Sequence, residues 1–173
     1  MVEDLIHVLR NYYHVLIGSL LRTSVEDLPT IPRDTPIEEL FRILSTRHHV
    51  WVVESRDSMK LVGLITEKDI LDVIAPKRIS PYSIGGIDQK SLLFGRSVDA
   101  YSIAQKKLIT ADPYDTIEAT LLKMKRYKLR RLPVVKNGEL IGEITLKMLM
   151  VEYMKVLKWY RFKQIEAAKK GEE

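Results

Sequence analysis

The stretch that decides the fold is LVGLITEKDI, residues 61–70, because it returns as LIGEITLKML at residues 140–149. The two copies are 79 residues apart. An internal repeat has to be recognised before single elements are assigned, since the repeated unit sets the architecture. One difference between the copies bears on chemistry, because Asp69 of the first copy is Met148 of the second.

The first copy is predicted to run strand, helix, strand, strand, helix. Proline disfavours helix in the residue before it, so the segment around Pro29 and Pro32 is extended. Apolar residues at helical spacing then predict a helix, with residues 34–36 supplying a capping residue and a proline in the first turn. A β-branched run predicts a buried strand. The predicted elements are 28–32 extended, 37–44 helix, 50–53 strand, 61–65 strand and 67–74 helix.

The second copy repeats this order. Asn137-Gly138 predicts a tight hairpin turn between its two strands, since both residue types tolerate the positive φ that such a turn requires. The final helix is predicted to continue from Leu146 towards Ala168. The other predicted elements are 108–110 extended, 117–124 helix, 132–135 strand and 139–144 strand.

The flanking segments complete the organisation. Apolar residues at helical spacing over 4–21 predict a helix that packs on the core. The segment between the copies is rich in glycine and long for a compact protein, which indicates an elaborated loop or an additional helix. The predicted divisions are 1–23 N-terminal helix, 24–76 first repeat, 77–103 linker, 104–158 second repeat and 159–173 C-terminal helical tail.

Composition limits the class of protein. The chain has 173 residues, 46% hydrophobic and 29% charged, and no cysteine, which excludes disulfides and thiolate metal sites. It begins without the basic region of a secretory signal, and it has no apolar run of about eighteen residues. We therefore expect a cytoplasmic protein that does not enter a membrane. The net charge of +5 favours anionic partners, although a lysine-rich thermophilic composition would give the same excess.

The repeated pattern resembles a known family. An extended start, a helix, a strand with Pro-Val-Val, and Gly-x-Ile-Thr-x-x-Asp opening a helix are similar to the cystathionine β-synthase (CBS) domain, over residues 24–75 and 104–158. Two such domains in tandem resemble a Bateman module. The resemblance implies an α+β (α/β) fold, with two pseudo-symmetric β-α-β-β-α repeats packed through their sheets. It also implies a regulatory, non-catalytic module that binds adenine nucleotides or related adenosyl ligands between the repeats and forms a homodimer through its helices. This chain looks like a stand-alone pair whose effector protein is unknown.

Asp69 and Thr66 are the predicted centre of the ligand site. A carboxylate can accept both hydroxyl protons of a ribose, and the start of a helix favours anions. The resemblance implies that Asp69 binds the ribose, with Thr66 beside it. The alternative is ordinary capping of a helix by the same two residues. Since Met148 cannot accept a hydroxyl, we predict one main site per chain.

The phosphate contacts follow from the resemblance to the γ subunit of AMP-activated protein kinase. Basic residues just before the Pro-Val strand would bind phosphate, and these correspond to Lys128, Arg130 and Arg131. Lys147 corresponds to a further phosphate-contacting lysine, and His48 of the first repeat holds a position similar to that of Arg130. Arginine can grip phosphate with two parallel hydrogen bonds. The alternative is a solvated basic loop.

The base is predicted to lie between Thr30-Ile31 and Leu64-Ile65, although apolar residues there are equally expected from core packing. The pair His48-His49 is a weak metal candidate, because adjacent residues of a strand point to opposite faces. We therefore predict no metal.

The chain shows no nucleophile–base pair, phosphate-binding glycine loop or dinucleotide fingerprint, so we expect no enzyme and no catalytic cofactor. The leading prediction is a sensor of AMP, ADP or ATP. One alternative is a nucleic-acid-binding protein that uses the C-terminal helix, where Trp159, Tyr160 and Phe162 alternate with cations. Another is a structural dimer with a vestigial cleft.

Overall fold

The structure is a computed structural model that describes residues 2–21, 27–74 and 99–170. The predicted start of the first repeat at 24 lies outside these residues, and so does the predicted linker up to residue 98. The described elements, in chain order, are α1 (Val2–His14), a 3-10 turn (Ile17–Leu20), β1 (Thr30–Pro32), α2 (Ile37–Leu44), β2 (His49–Ser55), β3 (Ser58–Thr66), α3 (Glu67–Ile74), α4 (Ala100–Ile103), α5 (Ile117–Tyr127), β4 (Arg131–Lys136), β5 (Glu139–Thr145) and α6 (Leu146–Lys170).

The first repeat is built on β2. This strand pairs with β1 in parallel and with β3 in antiparallel orientation. Its residues Val50, Trp51 and Val52 are fully buried, as expected for a strand covered on both faces. Ile65 of β3 and Leu40 of α2 are also inaccessible to solvent. The helix α2 begins after Pro36, which is itself the N-cap and forms no side-chain cap, so the predicted side-chain cap is wrong.

The second repeat is built on the hairpin of β4 and β5. Asn137 and Gly138 have φ angles of 54° and 87°, which confirms the predicted turn. The predicted extended start of this repeat forms no strand. Instead, Ala111 makes an isolated parallel bridge with Val134, since its NH donates to the carbonyl of Pro133 and its own carbonyl accepts from Val135, both at 2.9 Å.

The described residues group into two compact units, and the bounds of these units differ from those of the two sequence repeats. Among the described residues, 27–74 and 99–108 with 138–140 form one unit, and 2–21, 109–137 and 141–170 form the other. The first repeat is therefore packed with α4 and the residues that follow it. The second repeat is packed with α1 and α6.

The N-terminal helix is shorter than predicted. It ends at His14, because the residues that follow turn to bond with the chain just before α5. The NH of Ile17 donates to the carbonyl of Asp115 at 2.9 Å, and the NH of Ile117 donates to the carbonyl of Val15 at the same distance. A Cβ on Gly18 would lie 2.8 Å from a backbone oxygen of this segment, so the close approach requires glycine.

The predicted α+β class and the two-repeat organisation are confirmed. The helix α3 has the predicted bounds, and α6 reaches Lys170, two residues beyond the predicted end. Among the described helices, none has both the length and the apolarity that a bilayer crossing requires.

Candidate functional site

Asp69 lies in the first turn of α3 and closes the end of β3. Its Oδ2 accepts two hydrogen bonds from Thr66, one from the backbone NH and one from the hydroxyl, both at 2.7 Å. A side chain in the first turn that reaches back to the NH of the residue before the helix is one half of a capping box. The capping interpretation is therefore true of Asp69, and it fixes where the carboxylate stands.

The other face of the same carboxylate is occupied by Gln105. The amide nitrogen Nε2 of Gln105 lies 2.8 Å from Oδ1 and 3.1 Å from Oδ2 of Asp69. The backbone of Gln105 is fixed against β3, because its NH and carbonyl bond to the carbonyl and NH of Leu64 at 2.9 and 3.0 Å. Both residues belong to the first-repeat unit.

Gln105 could not be found from the sequence. It is 36 residues downstream of Asp69. In the sequence it stands at the predicted start of the second repeat, and only the folded chain shows that residues 99–108 pack on the first. A lone glutamine in a polar segment carries no motif that would signal such a contact.

The segment that carries Gln105 is anchored by Tyr101. The guanidinium of Arg33 and the amine of Lys106 each lie 4.1 Å from the centre of the Tyr101 ring. Arg33 also donates to Glu54 at 2.6 Å, and this carboxylate raises the pKa of the guanidinium above its ordinary value. Since Arg33 follows β1, its cation–π contact with Tyr101 links α4 to the first repeat.

The corresponding helix start in the second repeat has no carboxylate. The hydroxyl of Thr145 accepts a hydrogen bond from the NH of Met148 at 3.2 Å, which is a simple N-cap. Met148 packs against the apolar core of its unit. This helix start therefore offers no acceptor at the position that Asp69 holds in the first repeat.

The predicted phosphate contacts of the second repeat lie in its own unit. Lys128 ends α5 in the left-handed conformation, with φ 56°. The carbonyl of Arg130 accepts from the NH of Leu146 at 2.9 Å, which brings the basic loop to the start of α6, next to Lys147. Lys128, Arg130 and Lys147 are exposed, whereas Arg131 lies 3.4 Å from Glu143 in an ion pair.

The two adjacent histidines point to different surroundings. His48 is exposed, and its Nδ1 lies 3.1 Å from Oε1 of Glu67. His49 is buried and packs edge-to-face on Trp51, with ring centres 5.3 Å apart. In the described part of the chain, no three potential metal-ligating side chains of His, Asp or Glu come together.

The predicted base-contacting residues are partly committed to the core. The side chains of Ile31 and Ile65 are 4% and 0% exposed and belong to the core of the first repeat. The NH of Thr30 donates to the carbonyl of Leu28 at 2.8 Å, and both backbone groups of Leu64 are bonded to Gln105. Their part in binding a base stays a prediction.

A cavity of about 620 Å³ lies in the unit of the second repeat, between α1 and α6. Tyr12 forms part of its wall, and the phenol donates to the carbonyl of Leu149 at 2.9 Å. Burial raises the pKa of Tyr12 to about 12. None of the residues predicted to bind a nucleotide lines this cavity, whereas Trp159 of the alternative nucleic-acid prediction does. The amphipathic pattern of residues 4–21 predicts a packed helix but not a cavity beside it.

Comparison with protein families places these features in context. The CBS domain model matches residues 17–76 and 100–155. An uncharacterized protein of Methanocaldococcus jannaschii, MJ1225, is 26% identical over 136 residues, which are 79% of this chain and 43% of that protein. Inosine-5'-monophosphate dehydrogenase of Staphylococcus aureus is 29% identical over 96 residues, 56% of this chain and 16% of that enzyme. The chain thus spans less than half the length of these curated relatives.

Solved structures show the same fold. CbpB in complex with c-di-AMP has a TM-score of 0.70 at 16% identity and covers 93% of this chain and 99% of its own. CBSX2 in complex with AMP has a TM-score of 0.63 at 17% identity, with 82% and 97% covered. The CBS domain of a membrane protein from Sphaerobacter thermophilus has a TM-score of 0.60 at 24% identity, with 83% and 91% covered.

Proposed function

The chain belongs to the CBS-domain family, and from this premise we propose that it is a non-catalytic sensor of adenine nucleotides with one main site per chain, at Asp69. One observation carries the proposal. The carboxylate of Asp69 is held from one side by Thr66, while its other face meets only the exposed side chain of Gln105 among the hydrogen bonds described for it. The carboxylate has two acceptor oxygens, which a ribose with two adjacent hydroxyls would require.

The ligand class follows from this acceptor pair and from the cations. The structurally similar CBSX2 binds AMP and CbpB binds c-di-AMP, which supports an adenine nucleotide for this chain as well. The resemblance to the kinase γ subunit implies that Lys128, Arg130, Arg131 and Lys147 contact the phosphate. Cations favour a phosphorylated nucleotide over an S-adenosyl ligand, because charge-assisted hydrogen bonds to phosphate contribute about 1.5–3 kcal/mol each.

The site is proposed to be single because of Met148. A thioether accepts hydrogen bonds only weakly, so the start of α6 lacks the group that orients a ribose. The resemblance provides no substitute acceptor at this position.

We further propose that the sensor is a homodimer and that α6 contributes to its interface. Several large apolar side chains of this helix are exposed, including Val151, Met154 and Ile165, each about half accessible to solvent. Exposed apolar side chains grouped on one helix are a feature of protein–protein interfaces, and this grouping supports the proposal. Met154→Lys should shift the mass measured by light scattering from two chains to one, whereas Lys163→Ala on the same helix should leave it unchanged.

The experiment that tests nucleotide binding is thermal unfolding with AMP, ADP, ATP, S-adenosylmethionine and no ligand. At a hundredfold excess over its Kd a ligand stabilises by about 2.7 kcal/mol, which is about 5–10 °C for a chain of this size. We expect a phosphorylated nucleotide to raise the unfolding temperature of the wild type. The rise should be lost in Asp69→Ala and kept in Asp34→Ala, a control at an exposed position. Absence of any shift would leave a structural dimer with an unused cleft as the better account.

Nucleic acid is the second candidate, and the exposure of two aromatic side chains on α6 favours it. Trp159 and Phe162 are 53% and 58% exposed and alternate with cations such as Lys158 and Arg161. Binding of a single-stranded oligonucleotide that falls steeply with salt, and that is lost in Trp159→Ala, would support this function.

A further inference from the structure

Gln105 occupies the face of the Asp69 carboxylate that a ribose would need. A single amide nitrogen lies within 3.1 Å of both carboxylate oxygens. Because an ionised carboxylate only accepts hydrogen bonds, the amide must turn its NH₂ group, and not its oxygen, towards Asp69. With the two bonds from Thr66 on Oδ2, the acceptor sites of the carboxylate are almost fully used.

We propose that Gln105 is a built-in competitor of the ligand, which caps Asp69 in the empty protein and is displaced by the ribose hydroxyls. This inference rests on the proposed function, since it concerns the same carboxylate. It differs from a simple contact residue because it assigns Gln105 a negative effect on affinity. Ribose and the Gln105 amide need the same two oxygens, so the site holds one or the other.

The contacts of the two donors to Asp69 show which one is exchangeable. The backbone NH of Thr66 is fixed at the start of α3, so this donor cannot move away while the first turn keeps its conformation. The side chain of Gln105 is exposed, and rotation about its own bonds takes the amide into water, where its hydrogen bonds are replaced. The backbone of Gln105 stays in place through its two bonds to Leu64.

The consequence is a threshold for the sensor. Every ligand that uses the diol must first replace the Gln105 amide, so the apparent affinity is lower than the affinity of the uncapped carboxylate. Occupancy also changes the state of a side chain in the segment that carries Tyr101 and Lys106, on the surface of the first-repeat unit.

Calorimetric titration of the full chain with AMP tests the inference. Gln105→Ala should lower the Kd by about tenfold, the equivalent of losing one competing hydrogen bond to a charged group. Lys107→Ala, an exposed change two residues along the same segment, should leave the Kd unchanged. An equal or weaker affinity in Gln105→Ala, with binding still lost in Asp69→Ala, would overturn the competitor while leaving the nucleotide site intact.

A second readout observes Gln105 directly. The chain has three glutamines, Gln89, Gln105 and Gln164, so comparison with Gln105→Ala identifies its side-chain amide in a ¹⁵N–¹H spectrum. Asp69→Ala gives the position of the freed amide, and saturating AMP should move the wild-type signal to that position. A signal that AMP leaves at its original position would contradict displacement. Failure of both wild type and Gln105→Ala to bind any adenine nucleotide would overturn the proposed function and the competitor together.

Discussion

The first turns of α3 and α6 are the same structural position in the two repeats, and they are built with different chemistry. In the first repeat, Thr66 donates to Asp69. In the second, Thr145 accepts from the NH of Met148. Both arrangements start a helix after a strand that ends in Ile-Thr. The difference shows that helix capping alone does not require a carboxylate here, and the proposed ligand binding would give Asp69 a further role in the first copy.

The strands that lead to these helices are equivalent in packing. Ile65 and Ile144 stand 79 residues apart, and each is 0% exposed. The largest expected effect is therefore the same in both repeats. Ile65→Ala and Ile144→Ala should each lower the free energy of unfolding by about 2–5 kcal/mol in urea titrations, because each leaves a cavity in a closed core. Ile65→Val and Ile144→Val serve as controls and should cost about 0.5–1.5 kcal/mol. If only one of the two Ile→Ala variants lowered the free energy of unfolding, the two repeats would not be equivalent in packing.

The glycines before these residues should separate the two repeats. A Cβ on Gly63 would lie 2.7 Å from the Cβ of Ala104, which cannot rotate away, whereas a Cβ on Gly142 would lie 3.0 Å from the ends of the Leu21 side chain, which can. Overpacking costs about 1–3 kcal/mol, and we expect Gly63→Ala to fall in that range and Gly142→Ala to fall below it. Unfolding in urea measures both, and equal costs would show that α4 yields as easily as Leu21.

The two threonines sharpen the comparison between capping and ligand binding. Thr66→Ala and Thr145→Ala should each destabilise by about 1 kcal/mol through loss of a hydrogen bond at a helix start. Only Thr66→Ala should also weaken the binding of AMP, since Thr66 holds the carboxylate of Asp69 in place. Each variant is the control of the other, and an equal loss of AMP affinity in Thr145→Ala would show that the effect of Thr66→Ala does not come from its contact with Asp69.

The smallest expected effect concerns Tyr12, in the unit of the second repeat. Its raised pKa, about 12 against an ordinary value of 10, means that the folded state favours the neutral phenol. This contribution to stability is complete below pH 10 and is lost as the pH rises through 12. Tyr12→Phe should cost about 0.5–1 kcal/mol at neutral pH and should flatten the alkaline decline of the unfolding midpoint. If the unfolding midpoint of Tyr12→Phe fell with rising pH as that of the wild type does, the decline would come from groups other than Tyr12.

The repeated sequence was sufficient to predict most of the fold, because strands buried on both faces and amphipathic helices leave strong periodic patterns, as at residues 50–53 and 37–44. Two features depend on contacts distant in sequence and were not predictable. The chain leaves the helix after His14 because it bonds to residues 113–117. Residues 99–108 pack on the first repeat, although they precede the second.

The candidate site, like the fold, was predictable only where it depends on residues close together in the sequence. Asp69 and Thr66 stand three residues apart in a recognisable pattern, so local spacing identifies them. Gln105 meets Asp69 only because the chain returns to β3 after the intervening segment, and no local pattern encodes that return. The ion pair of Arg131 with Glu143 likewise arises from pairing across a hairpin, which a list of basic residues does not reveal.

The stoichiometry of AMP binding tests the central comparison most directly. Calorimetric titration of the full chain should give one site per chain, and Asp69→Ala should remove it while Met148→Ala leaves it unchanged. That result would assign nucleotide binding to the helix start that has the carboxylate. Two sites per chain, or binding retained in Asp69→Ala, would contradict the account.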